Sequence, residues 1–272
     1  GQYHDGGRPV SFFKLLRIVA LLSVLFVIVV SAWMVEKRMA AWERPILVTV
    51  YPIAADGDPA SIRFAEELSE QSFRPVNRFF ERESGPYDFT VTPAFRFQVA
   101  APSAELPPAV PEQYDFIRIA LWSLRMRWWA WMQDLGDELI QPDIQMFMLY
   151  YSLNGVVEPG ISVGMRKGRY TIVKAYARES QRERNLVVFT HEMLHVLGAT
   201  DKYVLSTGEP IFPHGYANPN QEPLFPQQQA EIMGVRIPLT SYSSAMVDSL
   251  ASCKIGRKTA EEVGFFGKLG EF

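Results

Sequence analysis

Cysteine is almost absent: Cys253 is the only one in 272 residues. A single thiol excludes an internal disulfide framework, a cysteine-ligated zinc cluster and a CxxC redox site together. The lack of disulfides also leans towards a bacterial envelope protein rather than a secreted animal domain. Charge of one sign is missing too, with 27 basic residues against 30 acidic ones and a net charge of −3. The Lys and Arg residues form no basic stripe, which removes counterion-driven binding to nucleic acid from the expected functions. Internal repeats and low-complexity tracts are absent. What is abundant is apolar side chain, 48 % of the total, enough for a sizeable core in one main domain.

The longest apolar run lies near the beginning, from Leu15 to Val35. Past Arg17 it holds eighteen residues without a charge, about 27 Å of helix at ~1.5 Å per residue. A buried core helix would need a polar face, which this segment lacks, and Trp33 stands where a membrane interface would fall. The run exceeds the core of a cleavable signal peptide, although Val29 and Ser31 make a passable cleavage site. The expectation is a tail over 1–14, a single transmembrane anchor over 15–35 and one domain over 45–272. Arg8, Lys14 and Arg17 precede the span with only Asp5 to offset them, so the domain is expected outside the cytoplasm, on the periplasmic side in a bacterium.

Beyond the anchor, strand-like and helix-like stretches alternate. Pro45–Ile53 is a β-branched strand, Ser61–Phe80 keeps helical spacing, and Phe89–Ala100 returns to strand alternation. The proline-rich stretch Ala101–Pro111 is a loop. Tyr114–Leu139 is a helix carrying Trp122, Trp128, Trp129 and Trp131, whose commoner use is core packing or a partner interface rather than a membrane surface. Ile144–Tyr151 is a buried strand, Arg169–Ala177 a half-exposed one, and Asn185–Leu197 a helix. Ser243–Cys253 is a small-residue stretch expected to be helical, with Cys253 a buried or partly buried thiol. Strands alternating with helices imply an α/β fold with a twisted, mainly parallel sheet.

Two of only four histidines, His191 and His195, stand four residues apart on that last helix. Both imidazoles then leave one face a turn apart and can grip one ion at ~2.0–2.1 Å. Glu192 points part of a turn away, off the metal but beside a water that the metal would hold, as a general base requires. Gly198, three residues after His195, lets the helix stop and the chain turn back. These features point to a Zn2+ site and to hydrolysis of an amide carbonyl.

The run His191–Asp201, HEMLHVLGATD, resembles the HExxHxxGxxH/D motif of the metzincin metallopeptidases in its aspartate-ending form. The resemblance implies a zinc-dependent endopeptidase acting on protein or peptide, with Asp201 as third ligand. The turn suits that role, since three residues from His195 to Gly198 complete the helix and three more return a side chain to the ion. It also implies a methionine turn beneath the metal, for which Glu231-Ile232-Met233-Gly234 is the candidate. An edge strand that binds extended substrate is implied as well, either Arg169–Ala177 or Ile161–Met165. Val235 stands where some metzincins carry a tyrosine, leaving Tyr203 and Tyr242 as possible substitutes. An aspartate ligand adds negative charge and lowers the Lewis acidity of the zinc relative to three histidines.

His214, in a loop rich in proline and asparagine, and Glu231, beside the methionine, remain alternative ligands. Two other functions stay open. One is a structural subunit of a membrane complex that keeps a metalloprotease fold, and the other is hydrolysis of a non-peptide amide by the same water and base.

Overall fold

The computed structural model describes residues 42–87, 89–109, 111, 115–134, 139–152, 163–165 and 169–266, with isolated positions at 14, 16–19, 22, 23, 26 and 30. The anchor expected over 15–35 therefore lies largely outside the described residues. Among the described residues no helix is long and apolar enough to cross a membrane.

A five-stranded sheet forms the centre of an α/β fold. Its strands are β1 (Ile46–Ala54), β2 (Phe95–Val99), β3 (Ile144–Tyr151), β4 (Val163–Met165) and β5 (Tyr170–Tyr176), in the order β2-β1-β3-β5-β4. The pairs β1–β2, β1–β3 and β3–β5 are parallel, and β4 alone runs antiparallel, on the edge beside β5. Of the two stretches that sequence offered for an edge strand, the edge position falls to β4, while β5 is interior. The expected half-exposure of β5 is corrected accordingly: Tyr170–Val173 and Ala175 are all buried, because layers pack on both faces. Alternation along β3 assigns the layers, sending Ile144, Met146, Met148 and Tyr150 to one core and Phe147 and Leu149 to the other.

The expected helix over Ser61–Phe80 is two helices, α1 (Pro59–Glu66) and α2 (Arg74–Ser84). Ser69 and Ser72 cap each other's backbone in the short 3-10 turn between them, and Pro75 sits in the first turn of α2, where a missing N–H is harmless. Asp58 opens α1 by accepting the Ala60 N–H at 2.8 Å. The strand expected over Phe89–Ala100 is only its second half. The tryptophan-rich helix α3 (Phe116–Asp134) covers one sheet face, where Trp122, Met126, Trp129 and Ala130 pack on Tyr51, Phe147 and Tyr170.

The opposite face carries α1, α2 and the helix α4 (Arg182–Leu197). Asn185 fixes the start of α4 against the end of β5, accepting from Tyr176 N at 3.1 Å and donating to Tyr176 O at 2.8 Å. Phe189 sits fully buried between Phe73 and Phe97, with ring centroids 4.8 and 6.1 Å away. After α4 the chain forms a long irregular wrap, the short strands β6 (Ala230–Glu231), β7 (Arg236–Thr240), β8 (Ser243–Met246) and β9 (Cys253–Lys254), and the helix α5 (Arg257–Glu262). The helix expected over Ser243–Cys253 is thus a hairpin strand, a 3-10 turn and a bridge strand. Its Ser and Ala residues hold no helical apolar stripe, and Arg236 draws β8 into the hairpin by donating to Ser244 Oγ and O.

Trp42 closes the fold, donating from Nε1 to Val263 O at 2.7 Å and meeting Phe89, Phe95 and Phe265 edge-on. Trp42→Ala is expected to lower the unfolding free energy by about 3–5 kcal/mol, read from urea denaturation.

Candidate metal centre

The helix α4 ends where its sequence stops suiting a helix. Gly198 takes φ 115°, donating to His195 O at 3.1 Å while Ala199 donates to Leu194 O at 2.9 Å. A side chain would be strained in that conformation, so glycine here lets the chain reverse. Asp201 is carried back to the helix by this reversal. His191 Nε2 and His195 Nε2 lie 3.0 Å apart, and Asp201 Oδ1 is 3.3 Å from the first and 3.1 Å from the second.

The tautomers follow from the other side of each ring. His191 Nδ1 lies 3.1 Å from Ile232 O and His195 Nδ1 lies 2.9 Å from Ala199 O. A carbonyl only accepts, so both Nδ1 atoms donate, and in neutral rings both Nε2 atoms present lone pairs. Two lone pairs and a carboxylate oxygen facing one another repel unless a cation lies between them. Asp201 Oδ1 is buried and has no hydrogen-bond partner. Tetrahedral ligands at ~2.0–2.1 Å from a metal stand roughly 3.3 Å from one another, close to the spacings here. The residues therefore fit a divalent cation, and among the described residues these three form the group of possible ligands within 4.8 Å of one another.

With no cation between them, the same groups act on one another as imidazole and carboxylate. Burial alone would raise the Asp201 pKa, but the two imidazoles overcome it and hold the carboxyl well below its usual range. Burial would lower the His195 pKa, and the Asp201 carboxylate and Ala199 carbonyl outweigh it. Glu192 is buried beside the cluster, and burial pushes its pKa up despite the opposing pull of the histidines and the Thr171 hydroxyl. Its Oε2 has no hydrogen-bond partner. The phenol of Tyr203 bonds to Asp201, and burial together with that carboxylate pushes its pKa up to about 12. Tyr203 is the nearer of the two tyrosines named from sequence, its ring centroid 6.3 Å from that of His191, whereas Tyr242 is exposed in the β7–β8 turn.

Met233 is fully buried in a tight turn closed by Gly234 N and Val235 N donating to Glu231 O at 2.9 and 3.0 Å. The carbonyls of this turn back the candidate site, since Ile232 O orients His191 and Met233 O accepts Lys202 N at 2.9 Å, one residue after Asp201. Glu231 is not free to ligate. Its Oε2 accepts Met233 N and Gly234 N at 2.7 and 3.0 Å, and its Oε1 accepts Thr259 Oγ1 and Gly256 N at 2.7 and 3.1 Å. His214 is exposed and lines a separate cavity of about 820 Å³ with Arg82, Tyr87, Lys254 and Arg257. Cys253 is buried, which pushes its thiol up to about 12.

Sequence reading did not single out the partners Thr171, Lys202 and Glu262. Lys202 Nζ, buried, donates to Thr200 O, Thr200 Oγ1 and Glu262 Oε2, each at 2.7 Å, and so ties the Asp201 segment to α5. No spacing signal links residues 60 positions apart, so only the fold reveals this pair.

Asp201→Ala is expected to weaken divalent-metal binding by more than about 100-fold, beyond what loss of an outer partner of a ligand causes. His214→Ala should leave it unchanged, and competition titration with a chromophoric chelator measures both. Burial would raise the Glu262 pKa, but Lys202 and Thr200 lower it from its ordinary 4.5. A carboxyl with a depressed folded pKa adds stability above its unfolded value and loses it as pH falls through the folded one. Glu262→Gln should therefore cost stability at neutral pH and little at strongly acid pH, as urea midpoints at the two would show. No protein-family model matches the chain, and a search of curated proteins finds no significant match.

Proposed function

We propose that the chain is a zinc-dependent endopeptidase of metzincin-like type, held at a membrane by its apolar segment 15–35 with the domain outside the cytoplasm. The observation that carries this reading is the convergence of His191 Nε2, His195 Nε2 and Asp201 Oδ1 beside an unpartnered Glu192 oxygen. Zinc bound there supplies Lewis-acid polarisation of a carbonyl and a lowered pKa for water. Glu192 takes the proton from the attacking water and passes it to the leaving amine, a task suited to a carboxyl whose pKa burial has raised. Tyr203 stays protonated at neutral pH and so can donate to the oxygen on which negative charge develops. Ile232 O and Ala199 O keep both imidazoles in the ligating tautomer.

Peptide as substrate is supported by β4, which has a neighbour on one side only and lies against α4. A peptide in extended form can add to such an edge through backbone hydrogen bonds, beside the helix that bears His191 and His195. The likeness of the segment His191–Asp201 and of the buried Met233 turn to metzincins points the same way.

The test compares wild type with Glu192→Gln on a peptide library and by metal analysis. Wild type should carry stoichiometric zinc and cleave peptides, while the variant keeps the metal and loses ~10²–10⁴-fold or more in turnover. Equal turnover in the two would refute Glu192 as base. Wild type without metal or cleavage would leave the structural-subunit function, and turnover confined to non-peptide amides would replace the substrate class.

A further inference from the structure

The inward face of α3 is spent on the sheet, where Trp129 packs on Phe147 with centroids 4.7 Å apart and Ala130 O accepts Gln145 Nε2 at 3.0 Å. Its outward face is also apolar. Leu121, Leu124, Trp128, Trp131 and Met132 are all exposed there, with Trp128 at 64 % and Leu124 at 63 %, and the two outer indoles lie against each other at 5.2 Å. The other described tryptophans, Trp42, Trp122 and Trp129, are buried. A helix that is apolar on both faces has a second apolar environment to meet.

The charge of the helix says what that environment is. Arg118, Arg125 and Arg127 are exposed, Arg118 lying 3.7 Å from Asp115 just ahead of the helix and Arg127 also reaching Tyr170, and Asp134 at the last position is the only acidic residue within the helix, in a chain whose net charge is −3. Arg118 and Arg125 stand seven residues apart, on the same face as Leu121, Trp128 and Met132. Among the α3 side chains that the structure describes, the exposed positions hold only apolar and arginine residues. A protein interface also favours aromatic residues, Met and Arg, but it is ringed by a polar rim of hydrogen-bonding side chains that this face lacks among its described exposed positions. A bilayer surface asks instead for aliphatic residues that enter the acyl boundary, indoles at the headgroup level and guanidinium groups that reach anionic phosphates.

We infer that the outward face of α3 docks on an anionic phospholipid surface, as a contact separate from the segment 15–35 and on the sheet face opposite α4. Docking there leaves the metal-ligand side of the sheet turned away from the lipid, and it does not depend on whether the metal site is catalytic.

Cys253 is fully buried, so a nitroxide on Leu124→Cys in the full chain reports this face alone. Leu205→Cys, at a position 82 % exposed, serves as control. The labelled chains are reconstituted in vesicles of phosphatidylglycerol and phosphatidylcholine in equal parts, and in phosphatidylcholine alone. With phosphatidylglycerol present, the ratio of oxygen to water-soluble nickel-chelate accessibility should rise several-fold at 124 and stay at its lipid-free value at 205. Adding Arg118→Glu and Arg125→Glu should abolish the rise. A water-like ratio at 124 in both vesicles overturns the proposal, as does an equal rise without anionic lipid. Protection at 124 that grows with protein concentration in the absence of lipid assigns the face to a second copy of the chain and also overturns it.

Discussion

The buried carboxylate of Glu231 is the interaction on which the far half of the metal site depends. It receives four donors, two from the methionine turn and two from the start of α5, and so locks the turn to the end of the chain. A carboxylate out of water is expensive unless its oxygens are satisfied, and here each accepts twice. Because the turn is fixed, its Ile232 carbonyl can orient His191, and its Met233 carbonyl can hold the strand of backbone that bears Asp201. The helix supplies two candidate ligands by periodicity alone. The third arrives only because a glycine, a turn and a buried acid agree on where the chain must go.

The N-terminal half of the fold was legible from periodicity because strands buried on both faces read as apolar runs. Ile144–Tyr151 is recovered to the residue, and β1 and α4 to within a few positions. Where polar chemistry competes with periodicity the reading failed. Ser69 and Ser72 break one helical pattern into two helices, a local capping effect that hydrophobic spacing does not register. The Ser243–Cys253 segment reads as helix by composition, yet its fate is set by a hairpin partner, Arg236, that sequence does not mark.

The candidate ligands are the opposite case. His191, His195 and Asp201 could be named because helix geometry and one glycine constrain them within eleven residues. Glu231 stands in sequence only as an alternative ligand, because the donors that occupy its oxygens lie up to 28 positions further on. Residues whose role depends on distant backbone groups carry no local signature. Thr171 and Lys202 belong to the same category.

The clamp between Trp42 and Val263 has a mechanical side. It joins a residue four positions ahead of β1 to the residue that follows α5, across 221 positions. Tension applied at Trp42 is therefore shared between β1 and the segment around Val263. That segment adjoins Glu262, which bears on Lys202, and Thr259, which bears on Glu231. A pull at Trp42 thus reaches the backing of the candidate ligands as well as the strands, by a path that does not cross the sheet.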